Sequence, residues 1–394
     1  MIKKTIKQLL LQYGGYTGAR KINAIIQYHS LAQRYLKFIR TGSAPLPDKV
    51  MFEPTQRCNL RCKMCFQKRS AIAAPHELAF KQITDFYDRN PHLRKVTFIG
   101  GEVFMRSDTI DLIGHLNHSR DIVICTNGTL IGDAEVNALR RFQRVYTVCI
   151  SLDGPRDIHE SIRCVKGSYD KAIQTIKVLA PILPVTVNLV IQDENMQVIP
   201  DMIDLCASLH VKKIKIELER IYSSEKHARA ITETGLISSD IPIASEGRIR
   251  GYSPETLQNV LRECQYRGKQ SGVDVFIDPP YLMDEIKACY DGNLLSTKQY
   301  ICQKIHTATI SPEGNLINCI HIRKPFGNIS DAPFDEIWNS EVANTFRRQL
   351  LINNLTPLCE NCPFMSPAPQ KIIMKIPSIK YQSLVLPKNG TINK

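Results

Sequence analysis

The sequence predicts an α/β fold in which six parallel strands, and the helices between them, curl into a partial (β/α)6 barrel. Short apolar runs alternate with amphipathic segments over residues 46–222, the order expected of a parallel sheet with crossover helices. Polar and glycine-containing motifs follow several of the runs, at the strand ends where such sheets bind ligands. The predicted strands are Val50–Glu53, Val96–Ile99, Ile122–Cys125, Val145–Ser151, Val185–Ile191 and Ile214–Leu218.

Helical periodicity, together with glycine and proline residues, predicts the organisation of the rest of the chain. Residues 1–45 predict a basic amphipathic segment of two helices broken at Gly14–Gly15, and residues 223–300 predict a helical connecting region. A small cysteine-rich domain is predicted over 301–366, and a basic, proline-containing tail over 367–394. The helices predicted within the barrel are Phe80–Arg89, Asp108–Asn117, Asp133–Arg141, Tyr169–Leu179 and Pro200–Leu209.

Composition narrows the class of protein. The 394 residues are 43% hydrophobic, and no apolar run approaches the ~20 residues that a transmembrane helix needs. The basic N-terminal residues are interleaved with apolar ones, a pattern that does not predict a secretory signal. The chain has 13 cysteines, and reducing compartments keep thiols free of disulfides. We therefore expect a cytoplasmic metalloprotein.

The net charge of +13 comes from the two ends of the chain. Residues 1–40 carry eight Lys or Arg and no acid, and the residues from Phe364 onward carry five Lys and no acid. A solvated basic helix face explains the N-terminal charges. The alternative is peripheral contact with an anionic membrane, to which each Lys or Arg contributes ~1 kcal/mol.

Three thiols lie within eight residues on the loop that leaves the first predicted strand, at Cys58, Cys62 and Cys65. Thiolates are the usual protein ligands of iron–sulfur clusters. Three of them around a four-iron cluster would leave one iron open for chemistry, whereas closed structural sites use four ligands. A zinc knuckle or chance spacing is the alternative interpretation.

The Cys-x3-Cys-x2-Cys loop resembles the signature of the radical S-adenosylmethionine (radical SAM) superfamily, although Met64 stands where that family usually has an aromatic residue. The resemblance implies a SAM-binding 4Fe–4S cluster on the three cysteines. It also implies SAM contacts, which are assigned residue by residue to Gly100, Gly101, Glu102, Asn127, Ser151, Asp153, Arg163, Leu189 and Val190. In this scheme Glu102 holds the SAM amino group and Arg163 its carboxylate, while Ser151 and Asp153 bind the ribose. Turn and surface roles are the alternatives for these residues.

A second set of cysteines comprises Cys302, Cys319, Cys359 and Cys362, and a Pro312–Gly314 turn predicts a hairpin with Cys302 and Cys319 on its arms. Four cysteines fit a zinc site as well as a cluster. Their order, with Gly327–Asn328 and Trp338 between them, resembles the SPASM/twitch auxiliary domain of radical SAM enzymes. That resemblance implies one auxiliary iron–sulfur cluster, of the 4Fe–4S type, because no cysteine follows Cys362.

The combined prediction is a radical SAM oxidoreductase. Such an enzyme cleaves SAM reductively to a 5′-deoxyadenosyl radical, which takes a hydrogen atom from the substrate. The substrate is expected to be a peptide or a small carbohydrate- or lipid-like molecule, and the electron to come from a flavodoxin- or ferredoxin-like reductant. The remaining cysteines are predicted to be core residues, and a hydrogen-donor role is the alternative for Cys164.

Two alternatives come from other readings of the same features. The basic ends suggest RNA modification as an alternative function, although the neutral middle of the chain does not favour it. Binding to RNA would weaken steeply with added salt. A non-catalytic iron–sulfur or zinc protein is the other.

Overall fold

The computed structural model describes residues 30–65, 76–220, 251–279, 300–320, 322–352, 355–360 and 364–368. Single residues and short pieces are described between these ranges, at 225, 228–229, 282–283, 285–291, 293–294 and 362. Most of the predicted N-terminal segment and nearly all of the predicted tail therefore lie outside the described residues.

The first half of the chain alternates strands and helices, as the sequence predicts. Helix α1 spans 30–41. It is followed by β1 (Lys49–Phe52), α2 (Phe80–Arg89), β2 (Lys95–Phe98), α3 (Thr109–Asn117), β3 (Asp121–Thr126), α4 (Asp133–Arg141), β4 (Val145–Ser151), α5 (Arg156–Arg163), α6 (Ser168–Leu179), β5 (Val185–Ile191), α7 (Ile199–Ser208) and β6 (Lys213–Leu218).

The second half contributes shorter elements. These are α8 (Pro254–Ser271), β7 (Asp274–Asp278), α9 (Ile286–Asp291), β8 (Tyr300–Cys302), β9 (Ala308–Ile310), β10 (Asn315–Ile317), β11 (Pro325–Asn328), α10 (Phe334–Trp338), α11 (Glu341–Ile352) and β12 (Met365–Pro367). Helix α8 begins with Pro254 in its first turn and the Ser253 hydroxyl accepting from Thr256 N, and it ends at Gly272 with φ +70°. Proline, an N-cap serine and a left-handed glycine are ordinary helix boundary residues.

Ten of the twelve described strands form one sheet in the order β11-β10-β9-β1-β2-β3-β4-β5-β6-β7, and β12 and β8 form a second sheet. Strands β1 to β7 pair in parallel with their neighbours in chain order. Side chains alternate along them. In β6, Ile214, Ile216 and Leu218 enter the hydrophobic core, whereas Lys215 and Glu217 between them are only half-buried. One face therefore packs against helices, and the other lines the interior of the curved sheet.

The parallel α/β fold is confirmed, but the barrel extends beyond the predicted residue 222. Strand β7 pairs in parallel with β6, from Lys213↔Asp274 to Glu217↔Asp278, within the region predicted to be helical. Its five residues are three apolar ones, Val275, Phe276 and Ile277, between Asp274 and Asp278, and the strand follows directly on the long helix α8. An apolar run this short cannot be distinguished from part of a buried helix by periodicity alone.

The cysteine-rich module is joined to the barrel through the sheet. Strand β9 pairs in parallel with β1, and β10 and β11 continue the sheet in antiparallel fashion. The predicted hairpin is formed by β9 and β10, and Cys319 follows its second arm. The prediction that Cys302 lies on the other arm is wrong. Cys302 ends β8, which pairs with β12 so that Cys302 lies opposite Met365.

Helix α1 docks on this module. The Tyr35 hydroxyl donates to the Cys302 carbonyl at 2.6 Å, and both Tyr35 and Phe38 are 2% exposed. The described part of the N-terminal segment is therefore packed on the body of the protein. No helix among the described residues combines the length and apolar character needed to cross a bilayer.

Candidate active site and auxiliary cysteine centre

The first cysteine loop leaves β1 and lies against the end of α5. Arg61 N donates to the Arg163 carbonyl at 3.3 Å, and Lys63 N donates to the Ile162 carbonyl at 3.0 Å. These bonds satisfy carbonyls that a helix leaves without partners at its C-terminus. Cys62 and Cys65 are also linked, because Cys65 N donates to the Cys62 carbonyl at 3.2 Å. The loop that carries the predicted cluster ligands is thus held by helix α5, which the sequence did not predict.

Gly100 and Gly101 allow the cysteine loop to pack against the end of β2. A Cβ atom on Gly101 would lie 2.0 Å from the Arg57 carbonyl oxygen, and one on Gly100 would lie 2.4 Å from that of Thr55. Gly100 also has φ +130°, a conformation that favours glycine. Gly101 N donates to the Thr55 carbonyl at 3.0 Å. The contact visible in the structure is with the loop backbone, which places both glycines directly behind the cysteines.

Glu102 joins the ends of β2 and β3 in a fully buried position. Its carboxylate accepts from Thr126 Oγ1 at 2.6 Å, from Asn127 N at 2.6 Å and from Phe104 N at 3.2 Å. Burial raises the pKa of the Glu102 carboxyl, and these donors oppose that shift. Asn127 in turn places Nδ2 3.8 Å from Cys58 Sγ. The predicted residues Glu102 and Asn127 are therefore in direct contact, next to the first cysteine.

Asp153 and Arg163 form a buried ion pair behind the second cysteine. Arg163 Nε donates to Asp153 Oδ2 at 2.5 Å, and its Nη1 lies 3.5 Å from Cys62 Sγ. Val190 N donates to Asp153 Oδ1 at 3.1 Å. Arg163 is an arginine at a helix C-terminus, a favourable location for a cation. The structure thus brings together predicted residues from α5, β5 and the loop after β4.

The side chains of the remaining predicted SAM-contact residues lie on two different faces of the sheet. Ser151 ends β4 and is half-buried, and its Cα is in register with that of Asn188 on β5. Val190 is also half-buried, on the same face as Asn188, where the Asn188 Oδ1 atom is buried and unpaired among the described residues. Leu189 alternates with them and is fully buried in the hydrophobic core, so its side chain points away from this face.

The four auxiliary cysteines lie close enough to act on one another electrostatically, with Cys302 and Cys362 buried and Cys319 and Cys359 half-buried. Cys359 follows Thr356 in a 3-10 turn, and Cys362 N donates to the Cys359 carbonyl at 3.0 Å. Burial raises the pKa of the Cys359 thiol to about 12 and that of Cys362 to about 11. Burial also raises the pKa of Cys302 well above its usual value, and the other three cysteines add to this shift. Thiolates in such surroundings need a compensating cation.

The donor chemistry at both places fits iron–sulfur clusters. Soft thiolate sets, three in one loop and four in the cysteine-rich module, are of the kind that holds clusters. Among the described residues, no three His, Cys, Asp or Glu side chains are already drawn together at metal-site spacing. At the auxiliary group a buried cation supplies a second observation. Lys304 is 2% exposed, and burial lowers its pKa to about 8, a shift that Cys319 and then Cys302 oppose.

A further ion pair, which the sequence did not predict, joins the two cysteine regions. Glu53 lies just after β1, is fully buried, and accepts two hydrogen bonds from Arg323, at 3.0 and 2.9 Å. Arg323 has φ +50° and follows Cys319 by four residues, donating its backbone N–H to the Cys319 carbonyl at 2.8 Å. No local pattern could reveal a pair 270 residues apart in the chain.

The barrel interior holds a charged group that also escaped prediction. Lys215 Nζ bonds Glu217 Oε1 at 2.7 Å and Asp278 Oδ2 at 2.6 Å. Burial alone would raise the pKa of Glu217, but Lys215 outweighs it and the pKa is lowered. Burial raises the pKa of the Asp278 carboxyl, and Lys215 opposes that shift. Charged residues at alternate positions of a core strand were the available sequence signal, in Lys-Ile-Lys-Ile-Glu-Leu.

The other cysteines divide by position. Cys206, Cys264 and Cys289 are buried in the core, as predicted. Cys125 and Cys149 are half-buried register partners on β3 and β4. Cys164 is exposed at the end of α5, with φ 57° and its thiol donating to the Ser161 carbonyl at 3.4 Å. This exposed position does not support Cys164 as a hydrogen donor to an enclosed substrate.

Comparison with known proteins agrees with the two cysteine regions. Residues 52–206 match the radical SAM superfamily, and residues 302–363 match the SPASM iron–sulfur cluster-binding domain. The Fe-coproporphyrin III synthase of Methanosarcina barkeri is 25% identical over 369 residues, which cover 89% of both chains. The PqqA peptide cyclase of Gluconobacter oxydans is 24% identical, over 76% of this chain and 79% of its own.

A solved structure shares the fold. SuiB of Streptococcus suis bound to S-adenosylmethionine superimposes with a TM-score of 0.60 and 14% identity, over 91% of this chain and 86% of its own. The family matches imply a SAM-binding 4Fe–4S cluster, SAM itself and auxiliary iron–sulfur chemistry as cofactors. From these matches and its sheet, the chain belongs to the radical SAM superfamily of enzymes and carries a SPASM-type iron–sulfur domain.

Proposed function

We propose that this radical SAM enzyme abstracts a hydrogen atom from a peptide or small-molecule substrate held inside the barrel, in a net oxidation. Cys58, Cys62 and Cys65 would hold the SAM-binding cluster, and Cys302, Cys319, Cys359 and Cys362 one auxiliary cluster that transfers electrons. When bound and reduced, the first cluster with SAM supplies a 5′-deoxyadenosyl radical that removes hydrogen from a substrate C–H bond.

The position of the Arg163 guanidinium is the main support for this proposal. It is tied to Asp153 at 2.5 Å while reaching Cys62 Sγ at 3.5 Å, so one cation spans the cysteine loop and the predicted ribose-binding carboxylate. A guanidinium has five N–H groups, and Nε alone serves Asp153. Its remaining donors are suited to the SAM carboxylate. Glu102, on the opposite side of the loop, is suited to the SAM amino group.

The substrate would occupy the interior next to this group. Arg163 acts electrostatically on Glu217, and Lys215 acts on both Cys125 and Cys149, so these side chains share one interior space. The Lys215–Glu217–Asp278 group offers both signs of charge at the carboxyl ends of β6 and β7. We infer that it orients a charged substrate near the SAM site and helps exclude water from the reacting C–H bond.

The names of relatives support peptide and small-molecule substrates equally. The PqqA peptide cyclase names a peptide, and the Fe-coproporphyrin III synthase names a tetrapyrrole product. Carbohydrate- and lipid-like substrates remain part of the proposal, as does a flavodoxin- or ferredoxin-like electron donor. Nothing on the described residues favours the RNA alternative. The comparisons do not support membrane contact, and most of the basic N-terminal segment lies outside the described residues.

The proposal is tested with anaerobically purified, iron-reconstituted protein, reduced with dithionite in the presence of SAM. We expect 5′-deoxyadenosine to form, and to carry deuterium when the correct deuterated peptide or small molecule is added. Candidates should include short peptides and carboxylated tetrapyrroles. A protein with full iron content that forms no 5′-deoxyadenosine would contradict the proposal.

Variants in the interior separate substrate binding from SAM cleavage. Lys215→Met should raise the KM for substrate, while 5′-deoxyadenosine formation without substrate stays close to wild type. Arg267→Met is the matched control, because Arg267 also pairs with several carboxylates, those of Asp201, Asp204 and Glu263, but on the outer surface. Equal effects of the two substitutions on KM would argue against a substrate site at Lys215.

A further inference from the structure

Lys304 is a buried lysine on the wall between the barrel and the auxiliary cysteines. It follows Cys302 by two residues in a 3-10 turn, and its side chain is 2% exposed. Its Nζ lies 4.7 Å from the centre of the Phe364 ring and also contacts Met51 Sδ of β1. Lysines are rarely buried in this way unless an anion is close by.

The structure identifies which anions are available to Lys304. In the part of the chain that the structure describes, no Asp or Glu forms an ion pair with its ammonium. Glu53 acts on it from a distance, but both Glu53 oxygens are bound to Arg323 at 3.0 and 2.9 Å. The other groups that would act on it as anions, once deprotonated, are the thiols of Cys319, Cys302 and Cys362.

A buried ammonium without a partner costs several kcal/mol, even after the protein relaxes around it. The Phe364 ring offsets only part of this, since a desolvated cation–π contact contributes about 2 kcal/mol. Four cysteines that ligate a cluster bring a net negative charge into the same volume. The position of Lys304 is therefore favourable only beside an anionic thiolate centre.

We propose that Lys304 is the counter-ion of the auxiliary iron–sulfur cluster and raises its reduction potential. This inference rests on the proposed ligands Cys302, Cys319, Cys359 and Cys362. Reduction adds one negative charge to the cluster, and a fixed cation in low-dielectric surroundings stabilises that charge. Cluster potentials depend on nearby charge, hydrogen bonds and solvent exposure, and Lys304 supplies charge where solvent is excluded.

The direction of the effect bears on the reaction. A cluster with a raised potential accepts an electron more readily than it donates one. Lys304 would therefore suit the auxiliary cluster to receiving the electron that a one-electron-oxidised substrate must lose, with a proton, to become a closed-shell product. Contact with Met51 places this cation against β1, the strand that leads into the first cysteine loop.

The test is the midpoint potential of the auxiliary cluster, measured by redox titration with electron paramagnetic resonance. The full chain carries Cys58→Ala, Cys62→Ala and Cys65→Ala, so that the auxiliary signal is isolated. Lys304→Met should lower the midpoint potential while iron and sulfide content stay unchanged. Lys324→Met is the control, because Lys324 lies in the same module but is half-exposed, and should shift the potential far less.

An unchanged potential in Lys304→Met with its iron retained would overturn the assignment. If Lys304→Met loses its iron, Lys304→Arg decides. If Lys304→Arg retains its iron and has a near-wild-type midpoint potential, a role for the positive charge is supported. If Lys304→Arg also loses its iron, the assignment is overturned. The titration uses neither SAM nor substrate, so the midpoint potential can be interpreted even if the proposed reaction does not occur. Absence of auxiliary iron from the parent protein would refute the proposed ligand set itself.

Discussion

Arg323 meets Glu53 in a two-point ion pair that fastens the loop after Cys319 to the strand before Cys58. The Glu53 carboxylate is fully buried, and the Arg323 side chain is 25% exposed. Together with the β9–β1 pairing, this contact fixes the auxiliary module to the barrel. If both cysteine sets hold clusters, as proposed, this attachment keeps their separation fixed.

Replacing Arg323 by Met should destabilise the protein by about 3 kcal/mol, because Glu53 would remain as a buried charge without its partner. The free energy of unfolding of the anaerobic holoenzyme in urea measures this. Glu53→Gln combined with Arg323→Met should recover much of the loss. A double variant no more stable than Arg323→Met would contradict a role in balancing charge.

Replacing Asp153 by Asn should weaken SAM binding by ~10–100-fold, because hydrogen bonds to charged groups contribute ~1.5–3 kcal/mol. Asp153 positions Arg163 and accepts from Val190 N. Anaerobic equilibrium dialysis with labelled SAM gives the Kd. Asp170→Asn is the control, since Asp170 also pairs with an arginine, Arg156, but fully at the surface. SAM affinity unchanged in Asp153→Asn would remove Asp153 from the site.

Replacing Gly101 by Ala should displace the first cysteine loop, because the added Cβ would lie 2.0 Å from the Arg57 carbonyl oxygen. Iron bound per chain should then fall by roughly half, with the auxiliary cluster retained, if each site holds a four-iron cluster. Gly42→Ala is the control, with φ +71° and nothing within 4 Å of its Cβ position. Full iron content in Gly101→Ala would show that the loop does not depend on this contact.

His159 should make stability depend on pH. It is 1% exposed, and burial lowers its pKa to about 4, so the folded protein holds it neutral. The unfolded chain binds the proton near pH 6.5, so this contribution is complete above pH 6.5 and is lost as the pH falls towards 4. Between pH 6.5 and 5 the loss is about 2 kcal/mol.

The measurement compares urea unfolding of the wild type and His159→Gln across pH 5–7.5. Taking the difference between the two proteins removes effects of acid on the clusters. The wild type should lose more stability than the variant as the pH falls. Parallel curves would mean that His159 is protonated in the folded state or is not buried.

Strong local patterns predicted much of the fold. All six predicted strands and all five predicted barrel helices are present within one or two residues, because continuous apolar runs and helical periodicity are local signals. Strand β7 was missed because its apolar run is only three residues long, and α5 because the motif residues His159 and Arg163 were interpreted without their helix. Cys302 was placed on the wrong strand because pairing of β8 with β12 depends on residues ~60 positions apart.

The site follows the same division. The cysteine loops are short and could be found from their spacing, and the motifs at strand ends from the family resemblance. Arg323 acts through a partner 270 residues away, and Asp278 of the Lys215 group lies on the missed strand β7, so the sequence did not reveal these contacts. The two glycines were expected to approach a ligand, but their visible contact is the backbone of the cysteine loop.

We propose that Cys58, Cys62 and Cys65 hold a cluster with an open iron that binds SAM. The most direct measurement is the electron paramagnetic resonance spectrum of the reduced protein with and without SAM. It should be made in Cys359→Ala/Cys362→Ala, where the first cluster remains alone. SAM should change the spectrum, and adding the Cys65→Ala substitution should abolish the cluster signal. A reduced cluster signal that SAM leaves unchanged, at saturating SAM, would contradict the account.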